Sequence, residues 1–208
     1  MGLPESQKRS YAATLGSVEA AGREWTACAV RAGVGRATKV HCVSDGAAWI
    51  INQARQQFGA QATYVVDFYH VSEYLAAAAQ VVAPHAARSW LHQQQERLKA
   101  NQVVLVLAQL APFAEPASGA HSETPVRDCV RYLKNHIEHL DYQTAKAAGL
   151  PIGSGEIESG HRTVIQARLK ISGAWWRVEN AEKMLALRVA RANGEWESYW
   201  KQQRQAHA

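Results

Sequence analysis

The acidic residues of this chain stand where a divalent cation would need them. Asp45 follows the short β-branched run Lys39-Val40-His41-Cys42-Val43-Ser44 and precedes Gly46 and two alanines. A carboxylate at a strand end is placed to join others around a hard cation such as Mg²⁺, which takes oxygen ligands and keeps several waters. The same residue can cap the helix that follows, and the two roles are compatible. Asp67, His70 and Glu73 recur at intervals of three, so a helix start there puts them on one face. Metal binding competes at that point with capping by Asp67 or Ser72 around a buried His70. Further on, Gly153-Ser154-Gly155 is a flexible turn that delivers Glu156 and Glu158 onto a helix start. Two residues apart means roughly 200° around the axis, so one cluster uses only one of them. Ile157, Val164, Ile165, Leu169 and Ile171 set the inward face, and Glu158 lies nearer to it than Glu156 does. Glu158 is the expected ligand, and Glu156 an exposed charge favoured by the helix N-terminus.

Two other groupings carry chemical potential. His136 and His139 have the i, i+3 spacing of a zinc pair, with Asp141 nearby, but no third ligand stands at a telling distance and the helix otherwise reads as a charged surface. The stretch holding Arg168, Lys170, Trp175, Trp176 and Arg177 mixes cations with aromatics, a combination suited to phosphates and to stacked or flipped bases. Tryptophans also serve as core. Net charge points the same way. The last 50 residues, 159–208, carry 9 Lys and Arg against 4 Asp and Glu, which is the whole excess of +5. A polyanion-facing segment belongs there, if the charge is not simply a solvated basic helix face.

The elements that must position these groups follow from periodicity. Residues 11–31 repeat apolar types at spacings of three and four (Leu15, Val18, Ala21, Trp25, Cys28, Ala29) and predict an amphipathic helix stopped by Gly33 and Gly35. A strand over 39–44 ends in Asp45-Gly46. A helix over 47–58 follows, with Gly59 as its C-cap. A second strand, 62–66, is almost wholly apolar, which predicts burial on both faces, and ends in Asp67. A helix follows from about residue 71 to 82. Helix, strand ending in Asp, helix, strand ending in Asp, helix is an α/β alternation with a largely parallel sheet, and such sheets place ligands at the carboxyl ends of their strands. Between 84 and 149 no strand pattern survives; two helices, 90–110 and 126–148, flank a Pro/Ser/Gly loop at 112–125. From residue 150 the pattern predicts a helix over 155–171, a break at Gly173, and another helix over 178–191.

Composition bounds the answer. With 208 residues, 47% apolar and 20% charged, the chain is neither disordered, collagen-like nor a disulfide scaffold. No apolar run approaches the roughly 18 residues that span a bilayer, and the first ten residues have no signal-peptide core, so no membrane association is expected. Cys28, Cys42 and Cys129 are far apart and odd in number, and read as reduced thiols of a cytosolic protein.

Four segments in order carry a resemblance: Ser44-Asp45-Gly46-Ala47-Ala48-Trp49-Ile50; Val66-Asp67-Phe68-Tyr69-His70-Val71; Leu150-Pro151-Ile152-Gly153-Ser154-Gly155-Glu156-Ile157-Glu158-Ser159; and Arg168-Leu169-Lys170 with Trp176. From about residue 11 to 200 the chain resembles the catalytic half of insertion-sequence transposases of the ISKra group, in the Asp-Asp-Glu class, related to ISL-type and Mutator-like enzymes. The resemblance implies an RNase H-like fold with three carboxylates on two Mg²⁺ or Mn²⁺ ions. Water and then a DNA 3′-OH attack a phosphodiester in line, one ion on the nucleophile and one on the leaving oxygen. It makes Asp45 the second carboxylate, Glu158 the third, and Asp67 with His70 an auxiliary pair; Asp67 in place of Asp45 as ligand stays open. Expected DNA contacts are Arg162, Arg168, Lys170, Trp176 and Arg177, on transposon ends and target, in a homodimer or larger assembly. The location implied is the cytoplasm of a bacterium, with the nucleoid. The domains become 1–82, a partial RNase H-like α/β core; 83–149, a helical insertion; and 150–208, the glutamate helix and basic C-terminal helices.

The chain departs from this pattern at its start. The class carries its first Asp on the first strand, ahead of a three-strand meander, whereas no Asp precedes Asp45 here. The expectation is an N-terminally truncated transposase that lacks strand transfer. With three strands missing, its sheet would expose an edge and an apolar face, leaving it marginally stable or aggregation-prone. A non-catalytic DNA-binding remnant or regulator of transposition is the second reading. A small metal-dependent hydrolase using His136, His139 and Asp141 is the third.

Overall fold

The computed structural model describes residues 9–116 and 124–206; of the loop 112–125, the part at 117–123 lies outside them. The protein is mixed α/β and mostly helical. In chain order its elements are α1 (Val18–Arg31), β1 (Val40–Ser44), α2 (Ala48–Phe58), β2 (Ala62–Val66), α3 (Phe68–Val82), α4 (Ala87–Lys99), α5 (Val103–Leu110), α6 (Pro125–Asn135), α7 (Tyr142–Ala147), α8 (Gly155–Gly160), a π-helical segment (His161–Gln166), α9 (Ala167–Leu169), α10 (Val178–Ala192) and α11 (Trp196–Ala206). They form two compact units. The first takes the chain up to Val40, Asn52–Ala62 and the chain from Gly155 onward; the second takes His41–Ile51 and Thr63–Ser154.

The second unit is built on the sheet. β1 and β2 pair side by side in parallel, and the Asp67 amide donates to the Ser44 carbonyl at 2.6 Å. That bond brings the two strand ends level, so Asp45 and Asp67 leave the sheet at the same edge. β2 buries Val65 and Val66 but exposes Thr63. Burial on both faces, expected for the whole strand, is thus confined to its last residues. Beneath them Val71, Leu75 and Ala78 of α3 pack with Leu98, Val106, Leu110, Val126, Cys129, Leu133 and Tyr142 in one apolar cluster. Leu75, Leu110 and Leu133 are fully enclosed, and truncating any one to Ala costs about 2–5 kcal/mol.

The two long helices expected after residue 84 are each divided. α4 and α5 are separated at Asn101, which has φ +56°, a left-handed conformation that Asn tolerates better than most residues. Its side chain explains the break. Asn101 Nδ2 donates to Asp141 at 2.5 Å while its Oδ1 accepts from the Gln143 amide at 3.0 Å, so it serves the start of α7. Asp141 caps α7 by accepting from the Thr144 amide at 3.1 Å, and α6 ends at Asn135.

In the first unit α1 begins at Val18, not residue 11. Ser17 is its N-cap, accepting from the Ala20 amide at 3.3 Å. The residues before it are held in another way: Tyr11 exchanges two hydrogen bonds with Asn193, and Thr14 and Leu15 both donate to Glu182. Leu15 and Val18 remain exposed as a result. Trp25 meets Phe58 edge to face at 5.4 Å, tying α1 to the end of α2, and Gly59 (φ +51°) ends that helix as expected.

The helix expected over 155–171 is interrupted by the π-helical segment. Wider turns of that kind leave carbonyls poorly served. Arg188 of α10 serves two of them, donating to the carbonyls of Thr163 and Val164, the latter at 3.2 Å. α11 falls among the basic C-terminal helices expected within 150–208, without bounds of its own there, although Trp196, Tyr199 and Trp200 stand at helical spacing. None of the described helices is long and apolar enough to cross a membrane, and the three cysteines are free thiols. Burial pushes Cys42 and Cys129 up, to about 11 and about 12.

Candidate functional site

Asp45 is exposed and begins a tight turn. Its Oδ1 accepts from the Ala47 amide at 3.0 Å, a local turn bond from a residue two positions before the N-cap of α2, which starts at Ala48. Gly46 follows with φ +85°. Both carbonyls of the turn are taken by side chains from α6 and its end. The Tyr132 hydroxyl donates to Asp45 O at 2.6 Å, and His136 Nε2 stands 2.9 Å from Gly46 O. Burial first, then the neighbouring Tyr74 and Asp45, hold the Tyr132 phenol above its ordinary value, so at neutral pH it keeps the proton it donates. Behind the turn, the Ser44 and Tyr64 hydroxyls are hydrogen-bonded to each other, and burial raises Tyr64 as well.

Asp67 is buried and engaged at both oxygens. Oδ1 accepts from the Tyr69 amide at 2.6 Å and the His70 amide at 3.4 Å, capping α3. Oδ2 accepts from the Ser154 amide at 2.8 Å and from its hydroxyl. Burial would raise this carboxyl, but the donors from Ser154, Tyr69 and His70 outweigh it and hold it below its ordinary value. Gly153 is required beside it, because a Cβ there would meet the Tyr69 ring at 2.6 Å. His70 is half-exposed, not buried, and pairs with Glu73 at 3.2 Å.

Glu158 belongs to the first unit, as do Arg162, Arg168, Lys170, Trp176 and Arg177. All of them are exposed, and Trp175 is 98% exposed. Glu156 is an exposed charge, as expected, and pairs with Arg9 at 3.0 Å. Ile157 and Ile171 also lie in solvent while Val164 is buried, so the inward face used to choose between the two glutamates is realised only in part. The π-helical segment changes the angular register after Gly160.

The histidine pair is spent on structure. Both His136 ring nitrogens face carbonyls, Tyr132 O at 2.8 Å and Gly46 O. His139 lies edge-on to Tyr64, and Asp141 caps α7. Among the described residues no three His, Cys, Asp or Glu side chains are gathered as a metal site. The fit of a divalent ion therefore differs between positions. Asp45 and Glu158 offer exposed carboxylates of the hard-oxygen kind, whereas the Asp67 carboxylate is saturated by N–H and O–H donors.

Sequence reasoning missed Tyr132 and Ser154, the side chains that support the two strand-end aspartates. Tyr132 stands in no motif and Ser154 reads only as part of the flexible Gly153-Ser154-Gly155 turn, so only the packing of α6 and of the 151–154 loop shows their use. No curated protein and no solved structure matches the chain. The model of one family does match it, over residues 34–205, and that family is described as an uncharacterised protein family, UPF0236. By that match, which covers most of its length, the chain belongs to the UPF0236 family.

Proposed function

We propose that this chain derives from the catalytic part of an insertion-sequence transposase with an RNase H-like core, and that Asp45 and Glu158 are carboxylates that take Mg²⁺ or Mn²⁺ for chemistry on DNA. The observation that carries this reading is the Asp45 turn. An exposed carboxylate leaves the carboxyl end of a parallel strand on a glycine turn whose backbone is held from outside, so the carboxylate itself stays open to a ligand. Ligand sites of parallel sheets sit at that edge. The order of the four sequence segments supports the same reading, as do the exposed cations and tryptophans after Glu158. Bound there, a divalent ion would supply the positive charge that activates a nucleophile and neutralises a leaving oxygen on phosphate. Asp67 is a positioning residue in this scheme, through Ser154. By the resemblance, Asp45 and Glu158 would be the second and third of the three carboxylates of that site.

A second reading, a DNA-binding remnant or regulator, is favoured by the first unit, where Arg168, Lys170, Arg177 and the almost fully exposed Trp175 present charge and ring faces. One set of experiments separates the two. Mn²⁺ titration of the purified chain is expected to show binding that Asp45→Asn and Glu158→Gln each weaken. DNA binding that is indifferent to Mn²⁺ and to both substitutions would leave the remnant reading.

A further inference from the structure

We propose that Tyr132 and His136 are positioning residues that fix the Asp45–Gly46 turn by its backbone and so leave the Asp45 carboxylate outward. The value of this for catalysis rests on the function proposed above; the clamp itself does not.

Tyr132 and His136 are four residues apart, which places them on one face at the end of α6. Each takes one of two successive carbonyls, Asp45 O at 2.6 Å and Gly46 O at 2.9 Å. The two rings are themselves held. Tyr132 stacks on Tyr74 with centroids 4.2 Å apart and planes 17° from parallel, and His70 meets Tyr132 edge-on at 5.6 Å. His136 lies against Tyr132 at 4.4 Å, and its Nδ1 is 2.8 Å from the Tyr132 carbonyl. Both partners of the imidazole are carbonyl acceptors, so the hold on Gly46 uses the tautomer with its hydrogen on Nε2. Gly46 matches this arrangement from its own side: φ is +85°, and a Cβ would reach His136 Nε2 at 2.7 Å. None of these bonds uses the Asp45 side chain, whose bond to Ala47 N is local. One member of an apparent metal-binding pair in the sequence, His136, is thereby assigned to the backbone beneath a different acidic residue.

The test is backbone amide exchange by NMR on the full chain, with Mn²⁺ as a paramagnetic probe. Tyr132→Phe keeps the ring stack and removes only the hydroxyl. It is expected to speed exchange at Ala47 by about tenfold, as the loss of one hydrogen bond would, with α3 core amides unchanged. His136→Asn is expected to do the same at Ala47. Val130→Ala, which loosens α6 without removing a donor, should lower the melting temperature and leave Ala47 as it was. Ala47 exchange within about twofold of wild type in both clamp variants overturns the proposal. Loosening of the turn in those variants, with no Mn²⁺ broadening of Gly46 and Ala47 in the wild type, confirms the clamp and removes Asp45 as a metal ligand.

Discussion

Ser154 and Asp67 are joined across 87 residues, the serine amide donating to Oδ2 at 2.8 Å and the serine hydroxyl to the same oxygen. The other oxygen caps α3. One carboxylate thus fixes three things: the end of β2, the start of α3, and the loop that ends four residues before Glu158. The Phe68 amide, donating to Ile152 O at 2.8 Å, holds the same loop through the backbone.

The Asp67 bonds make stability depend on acid pH. Its folded-state carboxyl lies below the ordinary value, so the stabilisation is complete above about pH 4 and is lost as the pH falls through the folded value. Asp67→Asn should lower the unfolding free energy by about 1–3 kcal/mol at pH 7. It should also flatten the decline that the wild type shows below about pH 4. Urea titrations from neutral to acid pH measure both, and equal acid slopes in the two proteins would refute the assignment.

Arg188 is expected to hold the irregular helix after Glu158. Arg188→Ala removes the donor that serves the Thr163 and Val164 carbonyls. A cost of about 1–3 kcal/mol follows, since the bonds are charge-assisted. Hydrogen exchange should rise across 161–169. Arg191→Ala, an exposed neighbour on the same helix, is the control and should change neither reading.

The basic tract should bind DNA through phosphates. For a duplex of random sequence, anisotropy at several salt concentrations is expected to give a linear log–log plot. Arg168→Gln and Lys170→Gln should each reduce its slope by about 1. Trp175→Ala, removing a ring that is 98% exposed, should weaken single-stranded DNA by about 1–3 kcal/mol and leave the slope unchanged. Slopes that ignore both cation substitutions would show that this face is only solvated.

Tyr142 is fully enclosed, and its hydroxyl has no hydrogen-bond partner among the described residues. Its ring packs edge-on to Phe68 at 5.4 Å, and burial drives its phenol well above the ordinary value. Tyr142→Phe keeps the ring and removes an unpaired polar group, so it should be neutral or stabilising by about 1 kcal/mol. Chemical denaturation checks the sign; a loss above about 1 kcal/mol would reveal a partner for the hydroxyl.

What the sequence by itself determined was local. β-branched runs closed by Asp became β1 and β2 with nearly the expected ends, because strand propensity and a turn residue act within a few positions. Helix type was legible for the same reason, and so were Gly33, Gly59 and Gly173 as stops, each having positive φ. Helix continuity was not legible. The breaks at Asn101 and near His136 are made by side-chain bonds to Asp141 and Gly46, 40 and 90 residues away, and spacing along the chain carries no trace of them. The acidic residues could be named from their places beside turns, but their roles could not be assigned. Asp67 is enclosed by four donors and Asp45 stands open. Two aspartates with the same local context differ in this because burial and hydrogen bonding depend on what other segments bring to each strand end, which only tertiary packing decides.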